Sequence, residues 1–267
     1  MKMFQKMAKL LFLIAAVTVF FVSNSTVGNA EEATEPSNGL PEFANEVVHP
    51  NFSSGGADHT HQYIVAQAIA ILNHDLGPTV ISTYRSTLLY YTDWPDKYEN
   101  DLGTFARHFY DPDTGKNWLG QTSPTAKTRA EQYYQNALEA YRMGDVEEAF
   151  IHLGKGTHYV SDINVPHHAA NLTALNSNHT QFEKYIDKSR LNYTIPGNTL
   201  PEAVYKEALN TSVSDSFQDT AVYSKSLAKL AQQSEHYDEI GQKVVPHAIV
   251  DNVQYIYKFC KEVGILK

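Results

Sequence analysis

An all-α class is predicted for this 267-residue chain from three features. Apolar residues recur at helical spacing, as in HQYIVAQAIAIL, where Ile64, Val65, Ala68, Ile69 and Leu72 share one face. Helix punctuation is dense: Ser123–Pro124, Gly144, Asp145 and Pro166 all stand at the ends of periodic segments. No segment sustains the apolar–polar alternation of a strand. Hydrophobic residues make up 42% of the chain, ample for one buried core.

The chain opens with Lys2, Lys6 and Lys9, then the apolar run LLFLIAAVTVFFV (10–22), then VGNA. That order is a secretory leader over residues 1–30 with cleavage after Ala30, so a secreted, extracellular protein is expected. The run of thirteen residues is short for a membrane span of ~20. No cysteine stands near the cleavage point, so no lipid anchor is expected. Residues 31–57 are polar, rich in Pro, Gly and Ser, and read as linker or propeptide. Residues 58–267 form the predicted helical domain.

Within that domain the first helix opens near His59, and a weaker one covers 79–91. Residues 92–122, with Pro95, Pro112 and three glycines, form a long polar loop, a length that usually marks function. Ser123 as N-cap and Pro124 at the first helical position start a helix that runs to Met143. Asp145, with Glu148 three residues on, starts the next, which runs to Ile163 and stops before Pro166. Further helices are predicted over 179–191, 201–211, 217–236 and 242–262.

Net charge is −9, which disfavours nucleic acid as a general partner. Cys260 is the single cysteine, so no intramolecular disulfide forms. A secreted domain without disulfides needs another staple, and bound metal contributes directly to folding free energy.

Twelve histidines are the stronger signal. HYVSDINVPHHAAN (158–171) puts three of them beside an aspartate and a proline. His158 and Asp162 are four residues apart, one turn along one helix face. His179 and Glu183 repeat that geometry on a later helix, a common way to present ligands inside a bundle. His168 lies beyond Pro166 and approaches from another direction. His108 sits in the long loop and His61 opens the first helix. Nitrogen and oxygen donors without thiolate suit zinc. His49, His74, His152, His236 and His247 are read as structural, without partners at ligand spacing. His167 is the neighbour most easily confused with His168.

HYVSDINVPHHAAN, with HTQFE downstream and TFARHFYDPDTGK upstream, closely resembles the bacterial zinc-dependent phospholipase C family. That family includes the phosphatidylcholine-preferring enzymes and the catalytic domain of alpha-toxin. The resemblance runs from His59 to Lys188 and more loosely to the C-terminus. It implies a single helical domain around a multinuclear cluster of two to three Zn2+ ions. His108, His158 and Asp162 then match ligands of one zinc, completed by a loop carboxylate, either Asp93 or Asp96. Asp96 is preferred for its distance of 108 − 96 = 12 residues from His108 and its Pro-Asp context. His168, His179 and Glu183 match the second zinc. His61 matches the third, with Asp162 bridging.

The resemblance departs at one point. Family members begin, after processing, with a tryptophan that closes the third site, and here only Trp94 and Trp118 occur. Asp58 or His59 is the expected substitute, or else the third site is weakly occupied. The chain also stops soon after the helical region, so the short form without a lipid-binding β-sandwich is expected.

The implied activity is hydrolysis of phospholipids such as phosphatidylcholine to diacylglycerol and a phosphorylated head group. A monomer acting at a membrane or micelle surface is expected. Zinc lowers the pKa of water to ~7 and neutralises phosphate charge. Asp96 is the candidate catalytic base as well as a ligand. Phe105 matches a head-group-lining position, where an aromatic face attracts quaternary ammonium; it also reads as a plain core aromatic. Two alternatives remain: a zinc-dependent single-strand nuclease of the same fold, and a zinc-stabilised binding protein without catalysis.

Overall fold

The structure is a computed structural model that describes residues 59–99 and 101–266. The leader, the linker or propeptide and Asp58 lie outside the described residues. Eleven α-helices follow in order among the described residues. They are α1 (Thr60–Leu76), α2 (Val80–Thr83), α3 (Arg85–Thr92), α4 (Trp94–Tyr98), α5 (Ala126–Arg142) and α6 (Val146–Asp162). Then come α7 (Pro166–Ala169), α8 (His179–Ser189), α9 (Glu202–Asn210), α10 (Val213–Ala231) and α11 (Tyr237–Glu262). The described residues contain no strand, only an isolated bridge between Asp111 and Lys116. The class is all-α, as the periodicity predicts.

Helix α6 organises the packing. It lies along α5 and meets α1, α3, α4 and α11. Two glycines allow the close approach. A Cβ at Gly154 would stand 2.9 Å from Tyr91 Cβ and 3.2 Å from the Leu88 carbonyl oxygen. A Cβ at Gly156 would collide with the Tyr255 hydroxyl of α11. Around this crossing Leu72, Leu88, Phe150, Leu153, Ile249, Ile256 and Phe259 are fully buried. Burying such a side chain contributes ~1.5–3 kcal/mol each.

Several predicted boundaries move, each for a local reason. Helix α5 starts at Thr125, not Ser123. Thr125 Oγ1 accepts from Thr128 N (3.2 Å) and Thr128 Oγ1 accepts from Thr125 N (2.8 Å). This reciprocal pair satisfies two otherwise orphaned N–H groups. The weak 79–91 segment is two helices, α2 and α3, breaking at Tyr84. The 92–122 loop is not wholly irregular, since it holds α4 and a 3-10 turn at Ala106–His108. Pro166 ends one helix and starts another, occupying the first position of α7.

Helix α10 begins at Val213 because Ser212 Oγ caps Asp215 N (3.0 Å). It ends at Ala231, short of the predicted 236. Helix α11 begins five residues before the predicted 242 and carries Pro246 inside it. A mid-helix proline costs ~3 kcal/mol. Buried Tyr237, Ile240, Val244 and Val245 offset that cost.

Candidate metal centre

The C-terminal end of α6 carries His158 and Asp162 on its inward face, both buried. His158 Nδ1 donates to Thr92 O at 2.7 Å. Thr92 ends α3, so its carbonyl has no helical partner to lose. That bond fixes the tautomer and leaves the His158 Nε2 lone pair facing the cluster. The close α3–α6 crossing at Gly154, one turn earlier, brings the two groups within reach.

His108 arrives on the 3-10 turn Ala106–His108, which Phe105 enters with a left-handed φ of 49°. Tyr110 N donates to His168 O (3.1 Å), tying this segment to α7. The result is a compact donor set. Asp162 Oδ2 lies 2.8 Å from His108 Nδ1 and 3.1 Å from His158 Nε2, and those nitrogens are 3.0 Å apart. Asp96 Oδ1 lies 3.6 Å from His108 Nδ1 and 3.5 Å from His158 Nε2.

Asp93, the other loop candidate, faces elsewhere: it pairs with Lys97 and stands 3.7 Å from His59 Nε2. Helix α4 starts right after Asp93 and turns Asp96 towards His108, so three residues separate two opposite roles.

A second set forms where α7 meets α8. The turn after Asp162 is held by Asn164, whose Nδ2 donates to Val160 O (3.0 Å) and to Asp251 Oδ2 (2.8 Å). Pro166 then starts α7, which brings His168 round. His168 Nε2 lies 2.9 Å from His179 Nε2 and 3.3 Å from Glu183 Oε1. His179 Nε2 and Glu183 Oε1 are 2.7 Å apart. His167 points away. Its Nε2 meets Asn178 Oδ1 (2.9 Å), and burial pushes its pKa down to about 4.

Asp162 connects the sets. Its Oδ1 lies 3.4 Å from His61 Nε2 and 3.5 Å from His168 Nδ1. His61 also groups with Asp96 and His158, ligand atoms all within 4.8 Å, and its ring stacks on His158 at 4.3 Å. His59 caps α1 and faces Asp93, and it belongs to none of the three donor groups.

These donors fit zinc. Tetrahedral coordination with bonds of ~2.0–2.1 Å places ligand atoms about 3.3 Å apart. The donor separations of 2.7–3.6 Å bracket that figure. The field also favours a cation. Burial opposes a charged His158, yet Asp162 and Asp96 raise its pKa to about 10. Burial opposes a charged Glu183 too, but His179 and His168 hold its carboxyl well below the usual range. Multiple His, Asp and Glu sites thus form a multinuclear metal-binding arrangement.

Two histidines read as partnerless do have carboxylates four residues away on the same helix. His152 Nε2 lies 3.2 Å from Glu148 and His247 Nδ1 lies 3.1 Å from Asp251. Among the described residues neither pair gains a third donor, because no distant segment crosses there with one.

Glu99 carries no signal in the sequence. Its side chain is nearly covered and joins Arg107 (2.8 Å), Arg129 (2.6 Å), Tyr159 (2.8 Å) and Tyr133. It clamps the loop between Asp96 and His108 onto α5 and α6. No spacing signal reveals it, since its partners lie 8 to 60 residues away.

The donors open into a cleft of about 520 Å³. Phe105, Trp118, Thr104 and Leu175 contribute to its walls. Phe105 is half exposed rather than a core residue. Trp118 Nε1 donates to Thr104 O (3.1 Å) and braces that wall.

The family described as zinc dependent phospholipase C matches this chain over residues 60–235. A phospholipase C of Paraclostridium bifermentans is 27% identical over 235 residues, spanning 77% of this chain and 59% of that protein. A phospholipase C of Bacillus cereus is 31% identical over 215 residues, spanning 70% of this chain and 73% of that protein. The solved alpha toxin from Clostridium absonum is similar at a TM-score of 0.72 and 27% identity, over 79% of this chain and 65% of that one. The chain therefore spans about three fifths of the length of the clostridial relative. All eight cluster side chains, from His61 to Glu183, fall inside the matched span, and the chain belongs to the zinc-dependent phospholipase C family.

Proposed function

We propose that this chain hydrolyses the phosphodiester bond of phospholipids such as phosphatidylcholine, releasing diacylglycerol and a phosphorylated head group. The observation that carries the reading is Asp162, whose two oxygens serve separate donor sets at the floor of one open cleft. Two to three zinc ions are proposed: one with Asp96, His108, His158 and Asp162, one with His168, His179 and Glu183, and a third at His61. Zinc bound there supplies Lewis acidity at the phosphoryl oxygens and acidifies water towards a pKa of ~7.

The chain's own residues divide the rest of the work. Asp96 lines the cleft, which supports its carboxylate as the group that takes a proton from the attacking water. Thr92 O holds His158 in one tautomer. Phe105 lines the cleft, and an aromatic face there attracts a quaternary ammonium head group. Secretion through the leader at residues 1–30, a monomeric state and the absence of a nucleic-acid partner belong to the same proposal.

One experiment tests it. The purified protein is assayed on a phosphatidylcholine dispersion and on single-stranded DNA, each with and without chelator. Chelator-sensitive release of diacylglycerol alone is expected. Hydrolysis of DNA alone makes the chain a nuclease, and tight zinc with no hydrolysis makes it a binding protein.

A further inference from the structure

The two most exposed large apolar side chains among the described residues are Leu102 (93% exposed) and Leu175 (91% exposed). They lie 73 positions apart in the chain, yet their loops bound the same cleft. Gly103, Thr104 and Phe105 line it from one loop, and Thr173, Ala174 and Leu175 from the other.

Neither loop is loose. Asp101 Oδ1 accepts from Phe105 N (2.9 Å) and Asp101 O accepts from Thr104 Oγ1 (3.0 Å), closing a turn with Leu102 at its apex. Leu102 takes a left-handed φ of 61°, a conformation that L side chains with a Cβ disfavour. In the other loop Asn176 Oδ1 accepts from Thr173 N (2.8 Å), and Ser177 Oγ donates to Thr173 O (2.7 Å). Leu175 is the apex there. Two braced turns thus hold exposed leucines on two separate loops that border the metal cleft.

We propose that Leu102 and Leu175 form an apolar lip that seats the cleft on a phospholipid surface. This rests on the phospholipid reading above. The acyl chains of a bilayer lipid stay in the membrane while its phosphodiester must reach the cleft floor. The cleft mouth therefore faces the lipid surface, and whatever rings the mouth meets the apolar layer. Exposed leucines there are unfavourable in water and favourable in lipid. A soluble phosphodiester would gain nothing from them.

The test uses the zinc-loaded chain and its Leu102→Ser, Leu175→Ser and double variants. Binding to phosphatidylcholine vesicles is read by co-sedimentation. Turnover is measured on the same vesicles and on dihexanoylphosphatidylcholine below its micelle concentration. The double variant should lose about tenfold or more in vesicle binding, from the apolar area no longer removed from water. Its ratio of vesicle to monomer turnover should fall in step, with an unchanged melting temperature. Leu102→Ser alone should keep monomer turnover.

Unchanged vesicle binding in the double variant, or no vesicle binding by the parent, overturns the lip. So does an equal loss of Leu102→Ser turnover on vesicles and monomers. If the parent hydrolyses neither form, the phospholipid reading fails, and co-sedimentation still decides the lip.

Discussion

His61 Nε2 lies 3.4 Å from Asp162 Oδ1, while Asp162 Oδ2 is turned to His108 and His158. One carboxylate thus serves two directions at once. Asp162→Asn keeps the shape but gives up the charge and one acceptor oxygen. Changing groups that only orient a ligand costs ~10–100-fold in metal affinity or activity. Losing a shared ligand should cost at least about a hundredfold in hydrolysis. Zinc content by mass spectrometry should fall by at least one ion. Full zinc content with full activity would refute the bridging role.

His167 and His168 are chain neighbours with opposite surroundings. His168 meets His179 and Glu183, whereas His167 meets Asn178. His168→Ala should remove one zinc. His167→Ala should keep the zinc count but lower stability by about 1–3 kcal/mol, since Asn178 Oδ1 loses a buried partner. Metal analysis and urea melts of both variants separate the roles, and the reverse pattern would sink the assignment.

Glu99 makes a different kind of prediction, because it touches none of the donor atoms. Glu99→Gln removes the carboxylate that Arg107 and Arg129 share, and leaves Arg107 with Asp101 at 3.4 Å. Breaking a buried ion pair costs about 3–5 kcal/mol. For a domain of this size that lowers the melting temperature by roughly 10 °C. Asp96 and His108 flank the clamped loop, so zinc retention during dialysis should fall as well. An unchanged melt would show that the clamp carries no stability.

What was legible in the sequence follows the range of each interaction. His158–Asp162 and His179–Glu183 are helical neighbours, so spacing alone puts each pair on one face. The same spacing also joins His152 to Glu148 and His247 to Asp251, and no cluster forms there. The difference is a donor delivered from a distant segment, which local spacing does not encode. Asp93 and Asp96 both fit the loop position in sequence, with Asp96 preferred only by its spacing to His108 and its Pro-Asp context, and the turn of α4 is what separates them in space. Glu99 is silent for the same reason, as Arg129 lies thirty residues on. The helix class was legible throughout, but the start of α11 was not. Burial of Tyr237 and Ile240 overrides the local warning of Pro246.

Asp75 provides a pH test away from the metals. Burial opposes its charge, but hydrogen bonds from Thr199, Tyr205, His74 and the Leu200 N–H bring its pKa down to about 2. The folded value lies below the unfolded value of ~3.9. The stabilisation is therefore complete above about pH 5, and it is lost as pH falls through about 2. Asp75→Asn should be less stable than the parent at pH 7. The gap between their urea midpoints should close as pH falls below about 4. A gap that stays constant down to pH ~3 would mean that the charge of Asp75 contributes nothing.

The three donor groups are unequal, and this predicts an order of metal loss. One set has four convergent side chains and the second has three of its own, whereas the His61 group borrows Asp96, His158 and Asp162 from the first. Shared donors already neutralised by one cation hold a second less strongly. During stepwise chelation one zinc should leave first, with hydrolysis falling and the melting temperature barely moving. The remaining zincs bind only the folded chain, so their removal should lower the melting temperature markedly. His61→Ala should lack the first zinc alone and keep the later melting step. All ions leaving together, or an unchanged count in His61→Ala, would show that His61 does not define a separate, weaker site.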